Sequence, residues 1–277
     1  MHHSTIDLHC HSRASDGELS PGDVVSRASS NGVEMLALTD HDTIQGQNEA
    51  FAVAADLPIR MVSGIELSCL WNGYTIHVLG LNFSLDSPVM WAAQERQGVV
   101  REARSIEIAE RLVKKGLPDV LSLASDKAGG GVLGRPHFAE ALVELGAVKN
   151  HAEAFKKYLG AGKVGDVKSG WPSLAEVVDW IVSAGGDAVI AHPRKYSMSL
   201  TKLRALIDEF GEHGGVGLEV VVSGQKQGEV GLLSDLCHKY KLKASVGSDF
   251  HSTKFPWADL GRVPSLPKTV TPVWVEW

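Results

Sequence analysis

The chain has 277 residues, 44% of them hydrophobic, which is enough to bury the core of one large barrel, with or without a modest insertion. Its formal net charge of −6 and its lack of a basic run argue against a long nucleic-acid tract as a partner, because such binding needs a basic stripe. No apolar run approaches the roughly 20 residues of a membrane span, no signal peptide is recognisable, and the three cysteines form no paired framework. We therefore expect a cytoplasmic protein without a membrane partner.

Short β-branched and aliphatic runs alternate with amphipathic helical patterns along the chain, which is typical of βα units around a parallel sheet. Ser20-Pro21 predicts the start of the first helix, because serine caps a helix and proline suits its first position. Ser173 predicts the start of a later helix that runs to about Ala184. Seven strands are predicted, at residues 5–9, 34–39, 60–67, 74–81, 188–191, 217–222 and 243–246.

Residues 87–168 have helical patterns but no convincing buried strand. Ser87-Pro88 predicts a long helix that carries charged residues such as Arg104 on faces exposed to solvent. We expect this segment to be a helical cap over the barrel mouth, because insertions after barrel strands emerge where barrel chemistry lies. A remote appendage is the alternative. The predicted domains are a barrel of residues 1–86 and 169–277 and an inserted cap of residues 87–168.

Metal-binding side chains occur at or near the carboxyl end of almost every predicted strand. His9 and His11 follow the first strand, and their rings project to one side because side chains two residues apart share a face. In a barrel, the carboxyl ends of the strands converge on one axial site. The candidate residues are His9, His11, Asp16, His41, Glu66, His77, His192, Asp249 and His251.

Each of these signals is weak alone, because His77 could be a hydrogen-bonded histidine of the core and Glu66 could be a partner in a salt bridge. Their convergence is what favours a metal centre. So many imidazoles and carboxylates in one place would repel each other or stay unpaired without cations among them. Imidazole and carboxylate ligands without thiolate suit Mn, Fe or Zn. The cysteines fit buried apolar positions better than ligand positions.

The same residues resemble the four motifs of the PHP (polymerase and histidinol phosphatase) superfamily. The motifs are DLHCHS at 7–12, LTDHD at 38–42, AHP at 191–193 and GSDFH at 247–251, and their order and spacing match over essentially the whole barrel. The resemblance implies a distorted (β/α)7 TIM-like barrel, in agreement with the seven predicted strands. It also implies that Asp7 and Asp40 orient neighbouring imidazoles.

The resemblance further implies two to three divalent metal ions, manganese being favoured over iron or zinc. Glu66 would bridge the first and second of three sites. The implied sets are His9, His11, Glu66 and Asp249 for the first site, Glu66, His77 and His192 for the second, and Asp16, His41 and His251 for the third.

Within the superfamily, the chain looks most like the stand-alone 3′,5′-nucleoside bisphosphate phosphatases, whose relatives also trim short RNA from the 5′ end. The helical insertion, RPHFA at 135–139 and YLGAGK at 158–163 carry this likeness. It implies hydrolysis of the 3′-phosphate of a small phosphorylated nucleotide, and of short 5′-phosphorylated oligonucleotides. Glu66, Asp249 and His192 are the expected catalytic residues, since hydroxide between the ions bridged by Glu66 would attack phosphorus.

A second phosphate on the substrate needs cations outside the metal cluster. Arg135 and Lys163 are the leading candidates because guanidinium and ammonium groups bind phosphate well, and Arg194 and Ser68 follow. A solvated surface charge, or a cap in the case of Ser68, is the alternative for each. His137 is the one candidate for a general acid, although metal assistance would suffice.

Three other functions remain open from the sequence. A phosphatase of a small monophosphate, such as histidinol phosphate, would share every metal ligand but need no second phosphate site. A metal-dependent amidohydrolase would also present an HxH pair on its first strand, although the residues at 39–42 and 249–251 fit a phosphoesterase better. The third is a non-catalytic, metal-stabilised module of the kind fused to polymerases, which the complete ligand set argues against.

Overall fold

The computed structural model describes residues 3–277, which contain eight strands and nine α-helices. The strands are β1 (Ile6–Asp7), β2 (Met35–Ala37), β3 (Arg60–Val62), β4 (Gly64–Trp71), β5 (Tyr74–Leu81), β6 (Asp187–Ile190), β7 (Gly217–Val222) and β8 (Lys243–Gly247). The helices are α1 (Pro21–Ser30), α2 (Gln47–Ala54), α3 (Pro88–Val113), α4 (Leu121–Ala128), α5 (Arg135–Glu144), α6 (His151–Ala154), α7 (Leu174–Ser183), α8 (Leu200–Glu212) and α9 (Glu229–Tyr240). All seven predicted strand positions carry a strand, and the third divides into β3 and β4 at Ser63.

The strands form two hydrogen-bonded sheets, β1-β2-β3 and β4-β5-β6-β7-β8. Two sets of backbone contacts join their edges. The amide of Leu8, next to β1, donates to the carbonyl of Val246 in β8 at 2.9 Å, and the amide of Asp42 donates to the carbonyl of Glu66 in β4 at 2.9 Å. The fold is therefore an α/β assembly of mixed sheets and helices that is consistent with a PHP-type barrel.

The direction of β5 differs from the prediction of a parallel barrel. β5 runs antiparallel to both β4 and β6, whereas every other paired strand is parallel to its neighbour. Leu81 at the end of β5 pairs with Asp187 at the start of β6, so the chain leaves β5 at the end of the sheet away from His192. The insertion thus begins at the opposite end from the one we expected. Because α3 has 26 residues and is roughly 39 Å long, it can carry the chain back along the sheet.

The principal helices begin where serine caps predicted them. The hydroxyl of Ser20 accepts the amide of Asp23 at 3.1 Å, which satisfies one of the free donors of the first turn of α1. Ser173 and Glu176 form a reciprocal capping box at the start of α7. Among residues 3–277, no helix is both long and apolar enough to cross a membrane.

The helices between β5 and β6 have an apolar core of their own. No strand occurs between β5 and β6, as predicted. Phe138 and Leu142 of α5 are fully buried, and they pack in one cluster with Leu112 of α3 and with Leu159. Burying each such side chain contributes on the order of 1.5–3 kcal/mol. A separate and larger cluster lies between the five-stranded sheet and helices α7, α8 and α9.

A glycine lets β8 lie directly against the segment that carries His9. A Cβ atom on Gly247 would stand only 2.2 Å from the Cβ of His9 and 2.7 Å from its backbone nitrogen. Any other residue would force the two segments apart. This contact sets Asp249, two residues after Gly247, beside His9, and its amide donates to the His9 carbonyl at 2.7 Å.

Candidate metal centre

The structure brings all nine predicted metal-binding side chains into one cluster. Within each of four groups, one ligand atom from every member lies within 4.8 Å of the ligand atoms of the others. The groups are His11, Asp16, His41 and His251; His9, His192 and Asp249; His9, His11 and Glu66; and His41, Glu66 and His77.

These groups divide the side chains differently from the three implied sites. His41 lies with Glu66 and His77 as well as with Asp16, and His192 lies with His9 and Asp249. The fully buried carboxylate of Glu66 is shared by two groups. Its Oε1 is 3.0 Å from His77 Nδ1 and from His192 Nε2, while its Oε2 is 2.9 Å from His41 Nδ1.

Two members do not stand at the carboxyl end of a strand: His77 lies inside its strand as predicted, whereas Glu66 was predicted near the end of residues 60–67. Glu66 is the third residue of the eight-residue β4, and His77 is the fourth of the eight-residue, reversed β5. Both still reach the cluster because β4 starts beside the end of β2, where a bridge pairs His41 with Glu66. In the same region the Ala191 amide donates to the His77 carbonyl at 3.1 Å.

The donor atoms of this cluster fit divalent cations. His9 Nε2 and His11 Nε2 lie 3.2 Å apart. Nδ1 of His41 and Oε2 of Glu66 lie 2.9 Å apart, yet both are buried and neither has a hydrogen-bond partner among the described residues. Buried lone pairs that converge in this way are costly unless protons or cations lie between them. Neutral imidazole and carboxylate without thiolate favour borderline divalent ions.

Burial and neighbouring charges give the histidines of the cluster different pKa values. Burial and the cationic His251 and His41 lower the pKa of His11 to about 3. Burial likewise lowers the pKa of His77 to about 4, although Glu66 opposes the shift. Burial disfavours the charged form of His251, but Asp16 outweighs it and raises the pKa of His251 to about 9. His11 and His77 are thus neutral and ready to bind a cation, whereas His251 has to release a proton first.

Glu219 is a site residue that the sequence analysis missed. It is fully buried in β7, where its Oε1 lies 2.9 Å from Nδ1 of His9 and its Oε2 accepts the backbone amide of His192 at 2.6 Å. The first contact holds Nδ1 of His9 as the protonated nitrogen and leaves Nε2 free for a cation. The second contact holds His192 in a backbone conformation with φ of +27°, which residues other than glycine rarely adopt. The signal was visible as a lone acid in the apolar run GLEVVV.

Asp7 and Asp40 organise backbone rather than imidazole rings. Asp7 accepts the amides of Ser248 at 2.8 Å and Gly261 at 2.9 Å. Asp40 accepts the Ser12 amide at 2.7 Å and the hydroxyls of Ser12 and Ser15 at 2.6 Å. The expectation that they orient neighbouring histidines is wrong for the contacts seen here, since the loops that carry the ligands are what they hold.

A cationic cavity of about 150 Å³ borders Asp16, His41 and His77. Arg135 and Ser68, two of the predicted substrate-binding residues, line it together with Arg101, Arg104 and Trp171. We call this space, lined by Arg101, Arg104, Arg135, Ser68 and Trp171, the arginine cavity.

Each guanidinium of the arginine cavity is fixed by the protein. Arg101 donates to Oδ2 of Asp42 at 2.7 Å, Arg135 donates to the Leu159 carbonyl at 3.0 Å, and Arg104 donates to the Val167 carbonyl at 2.9 Å. Arg104, which we had expected to face solvent, is buried and lies 4.1 Å from the centre of the Trp171 ring. Burial, with Arg101 and Arg135 close by, lowers the pKa of Arg104 to about 9. Asp42 pairs with Arg101, and Asp166 lies 3.6 Å from Arg135, so the three guanidiniums are partly compensated. The positive charge that remains favours an anion between them.

The remaining predicted residues lie elsewhere. Lys163 is exposed and does not line the arginine cavity. Arg194 lines a different cavity with His192 and Lys195, and the ammonium of Lys195 contacts Asp249. His137 uses Nδ1 to accept the Gly134 amide at 3.0 Å, which caps α5 and gives this histidine a structural role.

Comparison with known proteins finds relatives over nearly the full length of the chain. The family model described as "PHP domain" matches residues 7–187. The chain is 44% identical over 270 residues to a 5′-3′ exoribonuclease of Haemophilus influenzae, covering 97% of each protein. It is 38% identical to a 3′,5′-nucleoside bisphosphate phosphatase of Chromobacterium violaceum, covering 99% of this chain and 96% of that protein. A solved structure from Chromobacterium violaceum, described as an amidohydrolase with bound sulfate and no metal, is 38% identical, with a TM-score of 0.92 over 98% of this chain and 95% of that one.

Proposed function

The chain belongs to the PHP domain family, and on that premise we propose that it is a metal-dependent phosphoesterase acting on nucleoside 3′,5′-bisphosphates and short 5′-phosphorylated RNA. The observation that carries this proposal is the arginine cavity beside His41 and His77 of the metal cluster. A substrate with two phosphates matches a site that has one place for metal-assisted hydrolysis and a second, metal-free place for an anion. The names of the two relatives support the same substrate class.

We assign the nine clustered side chains to two to three divalent ions, manganese being favoured and iron or zinc acceptable. Such ions supply hydroxide near neutral pH and neutralise the charge of the phosphoryl group. Glu66 would serve two ions, because its two oxygens face different histidines. Asp249 and His192 complete the catalytic set on the side of His9.

The protein's own side chains would position the substrate. Arg101, Arg104 and Arg135 would hold the 5′-phosphate through charge-assisted contacts, so that the 3′-phosphate lies at the cluster. Glu219 keeps His9 and His192 in place through the two contacts described above. Hydrolysis then breaks the bond between phosphorus and the ribose O3′, and O3′ takes up a proton to leave a 5′-mononucleotide.

The same arrangement supports a proposal for the finer architecture. We propose a distorted (β/α)7 TIM-like barrel of residues 1–86 and 169–277 with residues 87–168 as a cap. The separate apolar cluster of the helical segment supports this division, as do its three arginines beside the site. Three free, buried cysteines support the expected reducing compartment, the cytoplasm.

The test is a substrate panel on protein with defined manganese content. We expect kcat/KM for adenosine 3′,5′-bisphosphate to exceed that for adenosine 3′-monophosphate by on the order of ten- to a thousandfold, the value of a bidentate charge-assisted contact. Comparable rates on histidinol phosphate would favour a monophosphatase instead. Full activity in the presence of a chelator would refute metal dependence.

The amidohydrolase function stays a second candidate because a similar solved structure carries that description. The two functions differ in the bond that is hydrolysed, an amide bond in one case and a phosphate ester bond in the other. An amidohydrolase would cleave amides such as N-acyl amino acids and cyclic ureides in the same panel, and it would need no cationic cavity. The three fixed guanidiniums beside the cluster therefore favour the phosphoesterase.

A further inference from the structure

A second cationic cavity borders the metal cluster. Its volume is about 160 Å³, and it lies between the loops that follow β6 and β7. We call it the downstream pocket. The lining side chains that matter here are His192, Arg194, Lys195, Ser223, Lys226 and Glu229.

The charge and polarity of the downstream pocket suit an anionic, hydrogen-bonding ligand. Three of its side chains are cationic, and Glu229 is the acid among its lining residues. Glu229 is already engaged, by the guanidinium of Arg194 at 3.4 Å and the backbone amide of Lys226 at 2.9 Å. The exposed ammonium of Lys226 forms no ion pair within residues 3–277. The hydroxyl of Ser223 is buried and has no hydrogen-bond partner in that same part of the chain.

The two cationic cavities touch different members of the metal cluster. The arginine cavity borders Asp16, His41 and His77. The downstream pocket borders His192 and Lys195, and the ammonium of Lys195 contacts Asp249. A chain with phosphates at both ends of one nucleotide would therefore enter from the arginine cavity, cross the cluster and continue into the downstream pocket.

We propose that the downstream pocket binds the nucleotide that follows the scissile phosphate of 5′-phosphorylated RNA. This inference rests on the proposed function. A phosphate or 2′-hydroxyl of that nucleotide would meet Lys226, Arg194 and the free Ser223 hydroxyl, which is how proteins commonly hold an RNA backbone. A nucleoside bisphosphate ends at the scissile phosphate and leaves the pocket to solvent.

The same bond is broken in both substrates, but only the oligonucleotide would occupy the downstream pocket. Water oxygen forms the new bond to phosphorus, the bond from phosphorus to O3′ of the first nucleotide breaks, and O3′ takes up a proton. A bisphosphate yields a 5′-mononucleotide and inorganic phosphate. An oligonucleotide yields the same mononucleotide and a shortened RNA that keeps the phosphate as its new 5′ end. The downstream pocket thus determines how well the enzyme acts as an exoribonuclease relative to a phosphatase.

The test compares two substrates in Lys226→Ala protein: adenosine 3′,5′-bisphosphate and the 5′-phosphorylated trinucleotide pApApA, whose second nucleotide carries a further phosphate on its 3′ side. We expect the ratio of kcat/KM for pApApA to kcat/KM for the bisphosphate to fall about tenfold, the value of one charge-assisted phosphate contact. Lys239→Ala is the matched control, since Lys239 is an exposed lysine near the other end of the same α9 region, and it should keep the wild-type ratio. Metal content and the circular dichroism spectrum verify that both variants are folded.

The outcomes separate the two proposals. An unchanged ratio in Lys226→Ala, or an equal fall in Lys239→Ala, overturns the downstream pocket while leaving the phosphoesterase proposal intact. Wild-type protein that hydrolyses neither substrate overturns the proposed function itself. Lys226→Glu provides a second measurement, because reversing the charge should lower the ratio further than removing it.

Discussion

Replacing Glu219 by glutamine tests how strongly a buried acid outside the ligand set controls metal binding. The carboxylate of Glu219 makes two contacts, to Nδ1 of His9 at 2.9 Å and to the backbone amide of His192 at 2.6 Å. A carboxamide has one acceptor oxygen, so its amino group must face one of these two donors. One charge-assisted hydrogen bond is then lost, at a cost of about 1.5–3 kcal/mol. If that cost falls on the bound state, metal affinity drops about ten- to a hundredfold.

The assay is a calorimetric Mn²⁺ titration of chelator-treated protein, with metal content measured separately. The matched control is Asp187→Asn, which alters a carboxylate that accepts from Nε1 of Trp277 at 2.6 Å, at the start of β6 and away from His192. We expect the control to keep wild-type Mn²⁺ affinity even if its thermal stability falls. Wild-type affinity in Glu219→Gln, or equal losses in the two variants, would refute the positioning role of Glu219.

Three further predictions follow from the site. Glu66→Gln should lower the metal content below that of wild-type protein and abolish most activity, because one carboxylate faces two groups of histidines; unchanged metal content by elemental analysis would contradict the bridging role. Arg135→Ala should lower kcat/KM for bisphosphates by on the order of tenfold or more at constant metal content. Lys163→Ala is the control outside the arginine cavity and should keep the wild-type kcat/KM. Equal kcat/KM values in the two variants would give Arg135 a structural role. Because Asp16 helps to raise the pKa of His251 to about 9, Mn²⁺ must displace a proton from His251 when it binds. The affinity for Mn²⁺ should therefore rise about tenfold per pH unit between the usual histidine pKa and 9. Calorimetry in buffers of different ionisation enthalpy should detect the released proton, and the absence of proton release would contradict this protonation state.

The apolar runs predicted the strand positions well, but they could not indicate strand direction. Alternating or continuous hydrophobicity is the same in parallel and antiparallel pairs. The missing information was in Asn72-Gly73 between β4 and β5, where both residues have positive φ values, 44° and 79°. An Asn-Gly pair between two strands is the strongest short-range signal for a hairpin. This pair indicates the reversed β5, and with it the start of the insertion at the far end of the sheet.

The metal cluster was easier to predict from the sequence than the residues around it. Histidine and acid side chains are unusual at strand ends, so their positions alone indicated a common site. Arg101 and Arg104 lie in a helix of mixed polarity, where charged residues are usually solvated, and only the packing of α3 against Trp171 reveals that they are confined. Glu219 carried the same signal as Glu66, a single acid in an apolar strand, but no neighbouring motif drew attention to it.

The pairing of the first strand with the last has a consequence for the newly synthesised chain. The Ser248 amide donates to Asp7 across 241 residues of sequence, and Asp249 and His251 join His9 and His11 only when that contact forms. Ribosomes add about 5–20 residues per second, so roughly 10–50 s separate the synthesis of the first two histidines from that of the last. During this interval a nascent chain has an incomplete ligand set. The ligand set is therefore complete only after residue 251 has left the ribosome, so a half-made copy cannot hold the full set of metal ions.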